Sequence, residues 1–338
     1  MWAYAARRIV IGVMLLLALS LVTFVLFFAS PADQARHACG KQCTDEQIAV
    51  TEKALGYDKP VLVQWGTFVK GMVTGREFPA DPELKKTHPE FITTCDRPCL
   101  GYSKTNGVTV NSLIGEAAPI SISLAVVAVV IWLVFGVILG IIAAVTKGTI
   151  MDRGIVGLTL IIYAFPTFFI GVFFLKFVVV KWGLLSYPQY LSIAEGGVGG
   201  WLTNLFLPAF TLALVYLASY VRMTRAFVLE SLGEDYIRTA RSKGLNSRTV
   251  LFKHALRAAL TPLVTMTGID FAGLLGGAII TEQVFAYNGI GKLTVDSANA
   301  WDLPTIIGIV VLAGSFVILA NIIVDICYAL IDPRVRLG

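Results

Sequence analysis

Charge is scarce in this sequence: Asp, Glu, Lys and Arg make up 14% of its 338 residues, against 56% hydrophobic residues. With a mean hydropathy of +0.76, that balance excludes a soluble globular protein and places the chain in a membrane, with lipid as a partner and nucleic acid excluded. Histidine is scarcer still. His37, His88 and His254 are the only three, too scattered for a haem or zinc centre. A phosphate loop is also missing. The nearest approach, Ala286-Tyr-Asn-Gly-Ile-Gly-Lys-Leu293, has Ala286 where the first glycine belongs and Leu293 where Ser or Thr would hold magnesium. The chain is therefore expected to have no nucleotide site, catalytic residue, metal site or cofactor of its own, and not to be an enzyme. No internal repeat or low-complexity tract stands out either, whereas many secondary carriers show inverted repeats and paired broken helices.

What the sequence does have is apolar length. A hydrocarbon core about 30 Å thick needs roughly 20 apolar residues as helix. Six segments qualify: Ile9–Phe28, Pro119–Val145, Ile155–Val180, Trp201–Val221, Leu260–Ile280 and Thr305–Ala329. The first follows Arg7 and Arg8 as a signal peptide would, but its apolar run exceeds an h-region of about 7–15 residues. No small-x-small cleavage site follows Phe28, so it reads as a retained anchor. The expected fold is an all-α integral membrane protein with six transmembrane helices. Its expected divisions are 1–29 (cytosolic start and first helix), 30–112 (an extracytoplasmic insertion between helices 1 and 2) and 113–338 (the core, with a cytosolic loop at 222–257).

Basic residues orient it. Arg7/Arg8, Lys147/Arg153, the loop from Arg222 to Arg257 and Arg334/Arg336 all fall on one side, which puts both termini in the cytosol. The Arg222–Arg257 loop holds eight Lys/Arg and three Asp/Glu, so it carries the whole formal charge of +5. The stretch from Ser30 to Ser112, with ten basic and ten acidic residues, lies outside.

Four of the five cysteines are in that outer stretch, as Cys39/Cys43 and Cys95/Cys99; Cys327 is expected inside the last span. Four thiols facing an oxidising space read as disulfides, with three connectivities open. Two Cys-x3-Cys pairs are also the raw material of a tetrathiolate zinc site. Gln64, Trp65, Phe68 and Met72 have the spacing of a short amphipathic helix near the interface. The Pro- and charge-rich run from Phe78 to Tyr102 reads as irregular.

Interior prolines Pro166 and Pro208 are expected to kink their helices. Gly268, Gly273, Gly276 and Gly277 mark the fifth span as an interior helix or a subunit contact. Ionisable groups in a bilayer interior cost about 2.5–3.5 kcal/mol on insertion scales, so each should face protein or water. Asp270 is then a proton or substrate-amine site, or a packing carboxylate hydrogen-bonded to a neighbour. Glu282 belongs to the translocation path or to packing. Asp325 is expected to pair with Arg334 or Arg336.

The basic loop has more specific grammar. Asp235 or Ser231 is a candidate cap for a short helix whose Tyr236, Ile237 and Ala240 share one face, with Arg238, Arg241 and Lys243 elsewhere. Gly244 offers the left-handed position that ends a helix, and Asn246 or Ser247 can cap the next. Such a knob on a membrane helix suits force transfer from a soluble partner, with Tyr236, Ile237 and Ala240 as the expected docking face.

These residues resemble a family. Ala240 and Gly244, followed at a distance by Leu256, match the Glu-Ala-Ala-x3-Gly signature of ABC importer permeases. The departures at Arg238, His254 and Arg257 are typical of the dipeptide/oligopeptide/nickel subgroup. Leu55-Gly-Tyr-Asp-Lys-Pro60, Gly277-Ala-Ile-Ile-Thr-Glu282, Asp302-Leu-Pro304 and Asp332-Pro-Arg334 extend the likeness over nearly the whole chain. The four-cysteine insertion, and Asn288 where the subgroup usually has proline, depart from its pattern.

The resemblance implies the type I ABC importer permease fold and a bacterial plasma (inner) membrane location. It implies a second homologous permease, two cytosolic ABC ATPases carrying ATP and Mg, and an extracytoplasmic peptide-binding protein as partners. It also implies a coupling role for Asp235, Tyr236, Ile237, Arg238, Thr239, Ala240, Arg241, Lys243, Gly244 and Leu245. The expected function is uptake of dipeptides or oligopeptides by alternating access. The alternatives are an ABC importer for nickel or haem, an ion- or proton-coupled carrier centred on Asp270, and a membrane sensor or scaffold.

Overall fold

A computed structural model describes residues 2–28, 34–39 and 43–331, with the side chains of residues 7–27, 35–39 and 43–323. The expected pairing of Asp325 with Arg334 or Arg336, and the placement of Cys327, lie outside the described side chains. Among the described residues, five helices are long and apolar enough to cross a membrane, or six if a bent pair counts as one span. The chain divides into two compact units, Met1–Ile120 with Asn288–Ile318, and Ser121–Tyr287 with Leu319–Gly338.

The first unit holds α1 (Trp2–Phe28), α2 (Gln34–Cys39), α3 (Asp45–Leu55) and α4 (Val61–Thr74). Thr44 and Gln47 form a reciprocal capping box at the start of α3, and Gly56 closes it in the left-handed conformation (φ 75°). The apolar face of α4 meets α1: the Phe24 and Phe68 rings are 5.3 Å apart, and Trp65 Nε1 donates to Ser20 Oγ at 3.0 Å.

The run expected to be irregular has short order. Strand β1 (Arg76–Phe78) precedes α5 (Pro82–Thr87) and pairs antiparallel with β2 (Thr93–Cys95), with Arg76 opposite Cys95. A second small pair, β3 (Tyr102–Ser103) and β4 (Val108–Thr109), follows it. Of the three possible connectivities the structure has the local one, Cys39–Cys43 and Cys95–Cys99, with Cα separations of 6.0 and 5.4 Å. Cys95 and Cys99 are buried with Phe78 and pack against Tyr102.

The long helix α6 (Val110–Val145) begins in this unit and ends in the other. The second unit continues with α7 (Ile150–Ala164), α8 (Thr167–Phe174), α9 (Ile193–Gly233), α10 (Asp235–Ser242), α11 (Ser247–Thr249), α12 (Leu256–Leu275) and α13 (Ile279–Phe285). Then α14 (Ile290–Asn299) and the start of α15 (Leu303–Ile331) return to the first. Asp302, at the foot of α15, is buried and accepts hydrogen bonds from the hydroxyls of Ser103 (2.5 Å) and Thr305 (2.7 Å).

The two prolines behave differently. At Pro166 the chain breaks: Phe165 is extended, as a residue before proline tends to be, and α7 and α8 meet at 96°. At Pro208, where a kink was expected, α9 stays helical. Its one non-helical residue is Gly197 (φ 62°). Proline 208 cannot donate to the carbonyl of Asn204, and the buried Tyr287 hydroxyl donates to that carbonyl at 3.0 Å instead.

Of the fifth-span glycines, Gly273 has open space where a Cβ would stand, so within this chain it is not a close helix contact. The tight contact lies on α6. A Cβ at Gly136 would sit 2.8 Å from Tyr220 Cβ, and one at Gly140 would sit 2.5 Å from Thr224 Cβ and 2.8 Å from the Val221 carbonyl. The sequence signal for it is Gly136-x3-Gly140-x3-Ala144, a small-residue stripe that lets two membrane helices touch.

Gly140→Leu is expected to cost about 1–3 kcal/mol by overpacking, whereas Gly273→Ala costs far less; thermal unfolding in detergent compares them. Tyr287→Phe leaves the Asn204 carbonyl without its donor and should lower stability by about 1–3 kcal/mol in the same assay.

Candidate functional site

The basic loop folds as its local chemistry dictates. Gly233 ends α9, Glu234 is extended, and α10 starts at Asp235 with no side-chain cap, so neither Asp235 nor Ser231 fills the expected capping role. The end is as the sequence reads. Gly244 adopts φ 79°, its N–H bonds the Arg241 carbonyl (2.9 Å), and the Leu245 N–H reaches back to Ala240 (3.3 Å). These two bonds are the Schellman pattern. Asn246 then caps α11 by accepting from Thr249 N at 2.8 Å, and a wide turn over Val250–Ala255 leads into α12.

The helix presents a different face from the one expected to dock. Ile237 (0% exposed) and Ala240 (6%) are buried against Val250 and Ala255, with Leu232 packed alongside. The cause is the stripe itself, whose apolar residues find an apolar partner in the chain that follows the Gly244 turn. Asp235, Tyr236, Arg238, Thr239, Arg241, Lys243, Gly244 and Leu245 are exposed. Arg238 and Asp235 form a solvent-exposed pair at 3.4 Å. Beside the helix runs a groove of about 420 Å³, bounded by Phe227, Glu230, Glu234, Tyr236, Ala258 and Pro262.

A second polar element went unread in the sequence. Asp152 on α7 takes a two-pronged bond from Arg225 of α9, Nε to Oδ1 at 2.7 Å and Nη2 to Oδ2 at 2.8 Å, and also accepts from Gly148 N at 2.9 Å. The available signal was Thr149-x-x-Asp152, the pattern of a helix start, and Thr149 does cap α7. Counting Lys147 and Arg153 only as orienting charge passed over it.

The membrane carboxylates both have donors. Asp270 Oδ2 accepts from Tyr220 Oη at 2.8 Å, beside Tyr216, whose ring stacks on Trp132 at 4.5 Å. Glu282 is fully buried and accepts from Ser121 Oγ (2.7 Å) and from the backbone of Ala278 (3.2 Å), where α13 begins. The coupling-loop residues, Asp270 and Glu282 thus belong to the second unit, whereas the four paired cysteines belong to the first. Among the described residues no group of three or more His, Cys, Asp or Glu side chains is placed to hold a metal ion.

Comparison with known proteins gives this arrangement its setting. Residues 136–337 match the family described as binding-protein-dependent transport system inner membrane component, and residues 1–125 match the N-terminal region of such membrane components. The probable peptide ABC transporter permease protein y4tP of Sinorhizobium fredii is 33% identical over 336 residues, covering 99% of this chain and 100% of its own length. The di/tripeptide transport system permease protein DppB of Pseudomonas aeruginosa is 32% identical over 356 residues, with 99% of each chain covered. The dipeptide transport system permease protein DppB of Escherichia coli is 31% identical over 359 residues, again with 99% of each covered. Among solved structures, an inward-facing MetNI methionine ABC transporter superposes with a TM-score of 0.51 at 18% identity, over 65% of this chain and 97% of that one. That likeness is one of fold, the type I ABC importer permease fold. The chain belongs to the binding-protein-dependent transport system inner membrane component family, as a multi-pass permease subunit of an ABC importer.

Proposed function

We propose that this permease imports short peptides, handed over by an extracytoplasmic peptide-binding protein and moved by alternating access. The observation that carries the reading is end-to-end similarity to relatives whose names specify peptide, di/tripeptide and dipeptide transport. In this reading a second homologous permease completes the pathway, and two cytosolic ATPases hold ATP and Mg, this chain having no nucleotide site. Both termini are cytosolic, and the segment 30–112 faces outward.

Energy enters through α10. Ile237 and Ala240 anchor it, while Arg238, Thr239, Arg241 and Lys243 meet the ATPase. A charged exposed face on an internally packed helix supports this division of labour. Asp270 and Glu282 serve packing within the membrane domain, each already engaged by a hydroxyl donor.

Two experiments test the reading. In proteoliposomes holding the complete assembly, uptake of a labelled dipeptide should require ATP and persist when the proton gradient is collapsed; gradient-driven uptake by this chain alone would sink it. Reversing two outward charges, Arg238→Glu with Arg241→Glu, should cut ATP-driven uptake about tenfold, equivalent to about 1.4 kcal/mol of docking, with thermal stability unchanged. Ile237→Ala should act differently, costing about 2–5 kcal/mol of stability. Equal loss of stability in both variants would refute the assignment of faces.

A further inference from the structure

The first unit contains a cavity of about 70 Å³ that the transport reading does not use. Its walls are mostly apolar, with Phe24 of α1, Leu55, Phe68 of α4, Phe78 of β1, Leu100 and Ile307 of α15 among them. Its charged lining is one-sided: Arg76 and Lys59 line it beside the polar Tyr57, Gln64, Thr67 and Tyr102, and no Asp or Glu is among the described lining residues.

Arg76 is the unusual member. Its guanidinium carbon lies 4.4 Å from the centre of the Phe78 ring, and no ion pair joins it to a carboxylate among the described residues. Burial pushes its pKa below the ordinary arginine value without making it neutral. The acid felt by Tyr57 next door, Asp302, accepts at Oδ2 from the hydroxyls of Ser103 and Thr305 and does not line this cavity. Gln64 is committed as well, since its amide donates to the carbonyls of Tyr57 (3.2 Å) and Lys59 (2.7 Å) and fixes that segment as one wall. Burial keeps the Tyr57 hydroxyl protonated well above the ordinary tyrosine range. A half-buried cation resting on a ring lacks only an anion.

We propose that this cavity binds a small carboxylate bearing a short apolar group, with Arg76 receiving the charge and the Phe24–Phe68–Phe78 wall receiving the apolar part. Size selects the class. A cavity needs about 10–15 Å³ by this measure for one water, so this one takes a single short apolar group with its carboxylate, any further part of the ligand remaining outside, and is far too small for the two chains of a phospholipid. A free apolar acid and the C-terminus of a short peptide share this chemistry. The site stands apart from the transport reading, because binding needs neither ATP nor a partner.

The test uses the full chain in phosphatidylcholine nanodiscs, titrated calorimetrically with N-acetyl-leucine, its neutral analogue N-acetyl-leucinamide, Gly-Leu and Gly-Leu-amide. Saturable binding of the acids, at least tenfold tighter than of the amides, is expected. Arg76→Gln should weaken acid binding by at least tenfold. Ala80→Phe, which fills the cavity and spares Arg76, should abolish it, so the assignment remains testable if Arg76→Gln does not fold. N-acetyl-leucine binding alone identifies a free acid as the source; binding of Gly-Leu as well admits a peptide C-terminus. No saturation by about 10 mM, equal binding of acid and amide, or full affinity in Ala80→Phe would overturn the proposal. So would loss of binding when phosphatidylglycerol replaces phosphatidylcholine, which would mark the occupant as a lipid headgroup. None of these failures touches ATP-driven uptake, which is measured separately.

Discussion

A backbone carbonyl or amide released from a helix inside a bilayer has no water to turn to, and the membrane part of this protein is organised around the places where that happens. Pro208 releases the Asn204 carbonyl in mid-helix, and a tyrosine from beyond α13 replaces the missing donor. The break at Gly277 opens the amide of Ala278, which the buried carboxylate of Glu282 accepts. That bond gives an acid in the membrane a structural employment independent of any substrate. At Pro166 the carbonyl four residues back, that of Ile162, accepts from the neighbouring Phe165 N–H at 3.2 Å, and there the chain turns through 96°.

Read this way, the polar residues inside the membrane fall into a common pattern. Asp270 is held by Tyr220, the same residue whose Cβ is closely approached by α6 at Gly136. A small-residue contact and a buried hydrogen bond therefore sit on one residue of α9. Beyond the ends of the apolar runs, Asp152 and Arg225 pin α7 to α9 in a similar way. The helix α9 is the shared partner of all three arrangements, which accounts for the long series of buried positions along it.

Much of this was legible in the sequence, because it rests on local rules. Apolar length set the spans, Gly244 needed its left-handed conformation, and Asn246 capped the helix after it. Other features depend on what lies opposite, which periodicity cannot report. Tyr236, Ile237 and Ala240 share a stripe, but only the chain after Gly244 decides that Ile237 and Ala240 turn inward. Pro208 and Pro166 look alike in sequence, yet the carbonyl released by the first is met by the distant Tyr287 and that released by the second by the adjacent Phe165 amide. Four cysteines permit three pairings, and the structure joins sequence neighbours, Cys39 to Cys43 and Cys95 to Cys99. Gly136 and Gly140 were passed over because the glycines of the fifth span are more numerous.

The seating of α10 has a mechanical consequence. Its apolar side is plugged into the turn that launches α12, while its first residue follows directly from α9. A push on the outer charges cannot be absorbed by the short helix swivelling on its own, since swivelling would uncover Ile237. In the proposed coupling, such a load would pass at once into the feet of two long helices, with α10 as a wedge between a pair of levers.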